Sequence, residues 1–366
     1  MAKTLLTRDI LESLLLGASV LGGGQASMKE GRDLGDLALR MGSPYLLDID
    51  DVDPHGTIVT CATITCPKDH GAVPSPRARV RSLELLLDGG VDHVAGVITS
   101  ECAAHAVING WIESAMLGLP IVDAPCDGRG HPLAEMGSMK LHLQEGYLSA
   151  QSFAGEEPES GEYIEGVMRG AISTVSSMIR QNAFSMGGWL AVARNPVSAE
   201  HVRDNGAPGA IRRTILLGEA MRGATDKGAE AVIETVEEQL LARRVYQGPV
   251  QTVDRFTAGG MHSGTAFFGE YELSFWKEYM TLEKEGRRIA TFPDLISVLD
   301  ANTGAAVPSD AVAPGQEVCV LVTSRRNLLL GGGLSCPELL EPLEKILGRE
   351  ILAHLGEPCS RAPEGA

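Results

Sequence analysis

The sequence predicts an α/β fold: an N-terminal α/β domain on a largely parallel or mixed sheet, followed by a β-rich second domain. Three observations predict it. His93 opens a strand, helix, strand succession (HVAGVITS, CAAHAVINGWIESAMLG, LPIVDA), a βαβ unit that implies parallel pairing through a right-handed crossover. From Val245 to Ser324 the texture changes to short β-rich runs, TAFFG, YELSFW, LISVLD and EVCVLVT, punctuated by turn signals such as Asn302-Thr303-Gly304 and Pro314-Gly315. The chain has 366 residues, 44% hydrophobic and 22% charged, enough for two substantial cores. The expected division is residues 1–175 and 176–366, with the β-rich part from about 245 to 330.

The elements follow in order. Residues 7–21 carry Leu11, Leu14 and Leu15 at helical spacing. Asp9 and Glu12 interrupt that run, so it reads as an amphipathic helix and not as a signal peptide. Gly22-Gly23-Gly24 follow. They can aim amides at an anion or simply end the helix in a turn; no strand precedes them and no nucleotide fingerprint is present. Ser27-Met28-Lys29-Glu30 has the form of a capping box opening a second helix. TIVTCATI, residues 57–64, reads as a strand. In the helix after the His93 strand, Ala104, Ile108, Trp111, Ile112 and Ala115 line one face and Gly118 ends it. Residues 163–183 carry Ile164, Val167, Met168, Ala171, Ile172, Val175 and Ile179 and predict the strongest helix of the chain. The acidic GEEPESGE before it, residues 155–162, reads as a linker or exposed loop. Further helices are expected at 209–222, at 228–244 and in the tail PELLEPLEKILGREILAHLG, where Pro337 is tolerated at the start.

Charge and cysteine usage narrow the function. The 31 basic and 48 acidic side chains give a net charge of -17, which repels phosphate backbones and anionic lipid and argues against nucleic acid and membrane as partners. No run approaches the roughly 18 apolar residues of a membrane span. Seven scattered cysteines, an odd number in a large chain, predict reduced thiols and a cytoplasmic location.

Ligands of open α/β sheets gather beyond the carboxyl ends of the strands. The βαβ reading places Ser100-Glu101 and the segment DAPCDGRGHPLAEM, residues 123–136, on that edge. Glu101, Cys102, His105 and Asn109 face Asp123, Cys126, Asp127, Arg129, His131 and Glu135 there, a set holding a nucleophile, acids, bases and an orienting cation. Each has a plainer reading: Asp123 as a turn cap, Arg129 in a surface ion pair, Cys102 and Cys126 as small buried hydrophobes, His105 as a core histidine. In the second half, Gly259-Gly260 beside His262 permits close backbone approach to a ligand or a hairpin turn. Asp294 and Asp300 are turn formers or ligand contacts. Cys61 and Cys66 lack CxxC spacing, and neither HExxH nor GxSxG occurs.

The ordered set LGGG, LGLPIVDAPCDGRGHPLAEM, AIRRTILLGEAM, FTAGGMHSG and FPDLISVLDANTGAAV resembles the S-methyl thiohydantoin desulfurase family, formerly a domain of unknown function associated with hydantoinase and oxoprolinase proteins. The resemblance spans about residues 10–335 and implies an N-terminal α/β domain joined to a β-rich one. It places Gly22, Gly23, Gly24, Asp123, Gly128, Arg129, Pro132 and Met136 at the family's characteristic positions. The chain departs from the pattern at Pro125, where an acidic residue is expected, and near His131, where an aromatic is expected.

The implied activity is hydrolytic removal of sulfur at C2 of a thiohydantoin or related cyclic ureide. Asp127, Glu101 or His131 serves as base, Arg129 holds a ring oxygen or substrate carboxylate, and Cys126 is a covalent alternative. Gly22 to Gly24, Asp123, Glu135 and His262 are the expected binding residues. No cofactor is required by the pattern; a divalent metal such as zinc on Asp123, His131 and Glu135 is compatible with it. The alternative is a non-catalytic binding or assembly subunit of a hydantoinase- or oxoprolinase-like complex. A homo-oligomer and a hydantoinase-like partner protein are further expectations. Arg129→Ala and Asp127→Asn are each expected to abolish turnover while leaving thermal unfolding nearly unchanged.

Overall fold

A computed structural model of the chain describes residues 3–24, 27–64, 73–157, 160–186, 189–258 and 261–355. Eight strands form the first sheet: β1 (Thr4–Leu5), β2 (Tyr45–Leu47), β3 (Thr57–Ile64), β4 (Val94–Thr99), β5 (Ile121–Val122), β6 (Ser149–Glu156), β7 (Tyr163–Gly170) and β8 (Leu190–Ser198). Their spatial order is β1-β2-β5-β4-β3-β8-β6-β7. β2, β5, β4 and β3 run parallel, while β1, β8, β6 and β7 pair antiparallel, so the sheet is mixed.

The helices of this half are α1 (Arg8–Leu21), α2 (Met28–Met41), α3 (Pro76–Asp88), α4 (Trp111–Leu117), α5 (Ile172–Ser185), α6 (Ala199–Asn205), α7 (Ala210–Ala224) and α8 (Ala229–Leu240). Leu11, Leu14 and Leu15 of α1 bury the predicted face in the main core with Trp111, Ile211 and Ile233.

The β-rich part is two antiparallel sheets. β10 (Thr252–Ala258), β11 (Met261–Phe268), β12 (Tyr271–Trp276), β13 (Glu278–Lys284) and β14 (Arg287–Thr291) form one in sequence order. β15 (Leu295–Asp300), β16 (Glu317–Thr323) and β9 (Arg243–Pro249) form the other. Phe268, Phe275, Tyr279, Ile296 and Val320 share the core between them. A last helix, α9 (Pro337–Leu347), starts on its proline as expected.

Three expectations change. The helix predicted over 163–183 exists only from Ile172; residues 163–170 are β7, an edge strand hydrogen-bonded to β6. A spacing of four is a multiple of two as well as near one helical turn, so Ile164 and Met168 share a face in either structure. Both pack against the core cluster around Phe153. GEEPESGE accordingly connects a hairpin, with residues 158 and 159 outside the described ones. The helix after β4 is broken into a 3-10 turn, Ala104–Ile108, and α4, because Gly110 stands at a φ of 94°. Ser27 precedes α2 but takes a φ of 88° and makes no side-chain cap bond, so the capping box is not formed. α5 runs across residue 175, and the first sheet continues to Ser198 in β8. Sheet pairing, not composition, decides where that layer ends.

Candidate active site

The parallel strands β4 and β5 deliver two carboxylates side by side at their carboxyl ends. The Cys126 amide donates to the Thr99 carbonyl (3.0 Å), the Asp127 amide to Ser100 (3.1 Å) and the Cys102 amide to Asp127 (3.0 Å), so Glu101 and Asp127 pair as a parallel bridge. The chain then turns back and His131 closes the group. Its Nδ1 stands 3.0 Å from Asp127 Oδ2 and 3.6 Å from Glu101 Oε2, and its backbone amide donates to Glu101 Oε2 at 2.7 Å. The other Asp127 oxygen accepts from the Gly331 amide at 2.9 Å. A side chain at residue 331 is excluded: a Cβ there would lie 1.8 Å from the Cys126 carbonyl oxygen and 2.7 Å from Asp127 Oδ1.

All three side chains are buried, Glu101 at 6%, Asp127 at 0% and His131 at 5% exposure. Burial pushes Asp127 up to about 6, with the His131 contact opposing the shift. For His131 burial disfavours the cation, but Glu101 and Asp127 outweigh it and the net displacement is upward.

The group opens into a cleft lined by Thr63, Glu101, His131, Arg180, Arg194 and Lys277 among others. Arg194 projects from β8, is 4% exposed and has no hydrogen bond at Nε among the described residues. Lys277 joins β12 to β13 at a φ of 64°, uncommon for a residue with a Cβ. It is held there by bonds from its amide to His262 (2.9 Å) and from Ser309 Oγ to its carbonyl (2.6 Å). Its ammonium lies 3.9 Å from Glu278, whose fully buried carboxyl is pushed up to about 7 by desolvation. The site therefore pairs a buried carboxylate–imidazole cluster with cations that can hold developing negative charge.

Residues 9–157 match the S-Me-THD-like N-terminal domain and residues 171–330 the S-Me-THD-like C-terminal domain. The chain belongs to the S-Me-THD-like family. A solved structure of a protein from Chromobacterium violaceum, a Northeast Structural Genomics Consortium target, superposes with a TM-score of 0.68 over 100% of both chains at 23% identity, a likeness of fold. No curated protein matches.

Both matched domains of this S-Me-THD-like chain contribute to the cleft: Glu101 and His131 come from the first, with Asp127 buried behind His131, and Arg194 and Lys277 from the second. Arg194, Lys277 and Glu278 were absent from the sequence reading. Their signal was a charge in or beside an apolar strand: Arg194 within LAVARNPVS, and Lys277 and Glu278 where YELSFW meets EYM, places an unneeded charge would seldom occupy.

Other expected site residues lie elsewhere in the S-Me-THD-like fold. Arg129 is 0% exposed and spans the junction between the domains: Nη1 donates to the carbonyls of Pro293 (2.9 Å) and Asp294 (2.7 Å), and the guanidinium lies 4.7 Å from the Phe292 ring centroid. Burial lowers it to about 10, opposed by Glu278 and Asp294. The amides of Gly22 and Gly23 are committed to Ala18 and Val20 at the end of α1. The Gly23 and Gly24 carbonyls accept from Tyr279 (2.7 Å) and Ser309 (2.9 Å), so the glycine run docks the β-rich part and does not line the cleft. Asp123 caps α7, accepting from the Ile211 amide at 2.8 Å beside Arg212. Glu135 lines a different cavity. Asp123, His131 and Glu135 thus occupy three separate surroundings and offer no common metal centre. His262 is exposed on β11 while its neighbour Met261 lines the cleft; Gly259 and Gly260 lie outside the described residues.

Cys102 and Cys126 are fully buried and desolvation pushes both thiols up to about 12, where no thiolate is present near neutral pH. Cys126→Ser is therefore expected to keep turnover within about 3-fold; a loss beyond 100-fold, read in the same assay as the parent, would restore a covalent role. His105 packs on Trp189 with ring centroids 4.7 Å apart, and Asn109 accepts from Arg79 and Thr63. Asp294 accepts from the Arg325 amide, and Asp300 from the amides of Asn302 and Thr303 in its own turn.

Among the described residues, no helix is long and apolar enough to cross a membrane. Cys61, Cys102, Cys126, Cys319 and Cys336 are free and buried; Cys66 and Cys359 lie outside the described residues.

Proposed function

We propose that this protein is a hydrolytic desulfurase acting at C2 of a thiohydantoin or related cyclic ureide ring. The observation that carries the reading is the buried Glu101, His131 and Asp127 group opening on a cleft that also presents Arg194 and Lys277. With Nδ1 turned to Asp127, His131 keeps Nε2 as the nitrogen that takes a proton. Water gives that proton to His131 as its oxygen bonds to C2. The C2=N electron pair moves onto the ring nitrogen, where Arg194 and Lys277 stabilise the charge. Collapse of the tetrahedral centre breaks the C2–S bond, and the imidazolium returns its proton to the leaving sulfur. Glu101 holds the His131 backbone and adds negative charge beside the ring.

Purified protein incubated alone with S-methyl thiohydantoin is expected to release thiol and leave a hydantoin. Silence until a hydantoinase-like protein is added would instead support the assembly-subunit alternative. Only neutral imidazole can accept the proton, and the His131 value is displaced upward. The acid limb of kcat/KM is therefore expected above the ordinary histidine value of about 6.5. A pH profile whose acid limb lies at or below that value would remove His131 as the base.

A further inference from the structure

We infer that the chain carries a binding site for a divalent transition-metal ion of the zinc class at His142, Cys336 and Glu338, outside the proposed catalytic cleft. Among the described residues this is the one set of three histidine, cysteine or carboxylate side chains whose ligand atoms all lie within 4.8 Å of one another. Imidazole, thiolate and carboxylate are the three donor types zinc takes, at about 2.0–2.3 Å. Such donors on a tetrahedral centre stand about 3.3–3.8 Å apart. His142 Nε2 and Glu338 Oε1 are 3.6 Å apart, too long for a hydrogen bond and right for two ligands of one ion.

The surroundings favour the metal-binding form. His142 Nδ1 lies 2.9 Å from Ser138 Oγ; when Nδ1–H donates to that hydroxyl, the lone pair is left on Nε2. Nε2 is buried and has no hydrogen-bond partner among the described residues, a state that leaves a polar atom unsatisfied unless something else binds it. The Cys336 thiol is 4% exposed and makes a long contact to the Gly332 carbonyl, 3.4 Å. That contact is lost when the thiol gives up its proton to bind an ion. Glu338 sits in the first turn of α9 and is partly exposed, so an ion can enter from solvent.

His142 also lines a cavity together with Glu135, Tyr147, Ser173 and Leu339. Three protein ligands leave a fourth tetrahedral position for water or a small ligand reached from that side. His142 belongs to the first matched domain, whereas Cys336 and Glu338 lie beyond residue 330, where the second match ends. A bound ion would tie α9 to the N-terminal half of the fold. This site is independent of the catalytic reading above.

The test is a Co2+ titration of the full-length protein purified without chelators. One equivalent is expected to bind with a thiolate-to-cobalt charge-transfer band that Zn2+ displaces. Cys336→Ser abolishes the band; His142→Ala and Glu338→Gln, the latter at an exposed position that tolerates change, each weaken binding more than 10-fold, and Ser138→Ala by about 10-fold. Zn2+ is expected to raise the Tm of the parent and not of Cys336→Ser. The proposal is overturned if no band forms, if the band survives in Cys336→Ser, or if binding is lost in His131→Asn and retained in Cys336→Ser.

Discussion

Asp127→Asn is expected to lower kcat for thiol release by about 10²–10⁴-fold, with KM nearly unchanged. The substitution is close to isosteric at a fully buried position, and an amide oxygen can still accept from the Gly331 amide. What changes is the face turned to His131. A carboxylate 3.0 Å from Nδ1 favours the imidazolium that forms as water attacks, whereas a neutral amide supplies no such charge and, with its NH2 toward the ring, favours the wrong tautomer. The near-isosteric swap keeps the packing and the Gly331 bond, so thermal unfolding is expected to change little. Steady-state kinetics and thermal unfolding, measured together, check both halves. A variant retaining more than a tenth of parental kcat would remove Asp127 from the mechanism.

Arg129→Met is expected to destabilise the fold by about 3 kcal/mol or more. This reverses the sequence-based expectation that a substitution at Arg129 leaves unfolding unchanged. The side chain is 0% exposed, and its Nη1 serves two carbonyls, those of Pro293 and Asp294, from across the domain junction. Each hydrogen bond to a charged donor is worth about 1.5–3 kcal/mol, and methionine leaves both acceptors buried without that donor. The stacking on Phe292 at 4.7 Å is lost as well. Urea unfolding monitored by tryptophan fluorescence reads the change directly. A midpoint within error of the parent would remove Arg129 as a stabilising tie across the junction, and a stable variant without activity would return it to the ligand.

Much of the fold could be read from local patterns. The leucines of α1, the apolar runs of β3 and β4, the face of α8 and the short strands after Val245 fall where the spacing places them, because each buries one side against a core. The failures share a cause. Tyr163 to Gly170 carries a pattern that serves helix and strand alike, and only β6 alongside it chooses the strand. Ser27 and Glu30 have capping-box chemistry, but Ser27 is held at a positive φ that aims its side chain away from the cap.

The sequence by itself determined that Glu101 and Asp127 would meet, since two consecutive parallel strands of one βαβ unit end on the same edge and do so as a bridge. It also determined that His131, four residues on in a glycine-bearing turn, would be close by. Only the tertiary structure decided which charges complete the cleft. Arg194 and Lys277 arrive from strands far along the chain, while Arg129 and the glycine run, the most conspicuous features of the sequence, are drawn into the junction between the domains. The physical reason is that a side chain's role follows from the partners packed around it, and those partners come from residues too distant in sequence for any local pattern to encode.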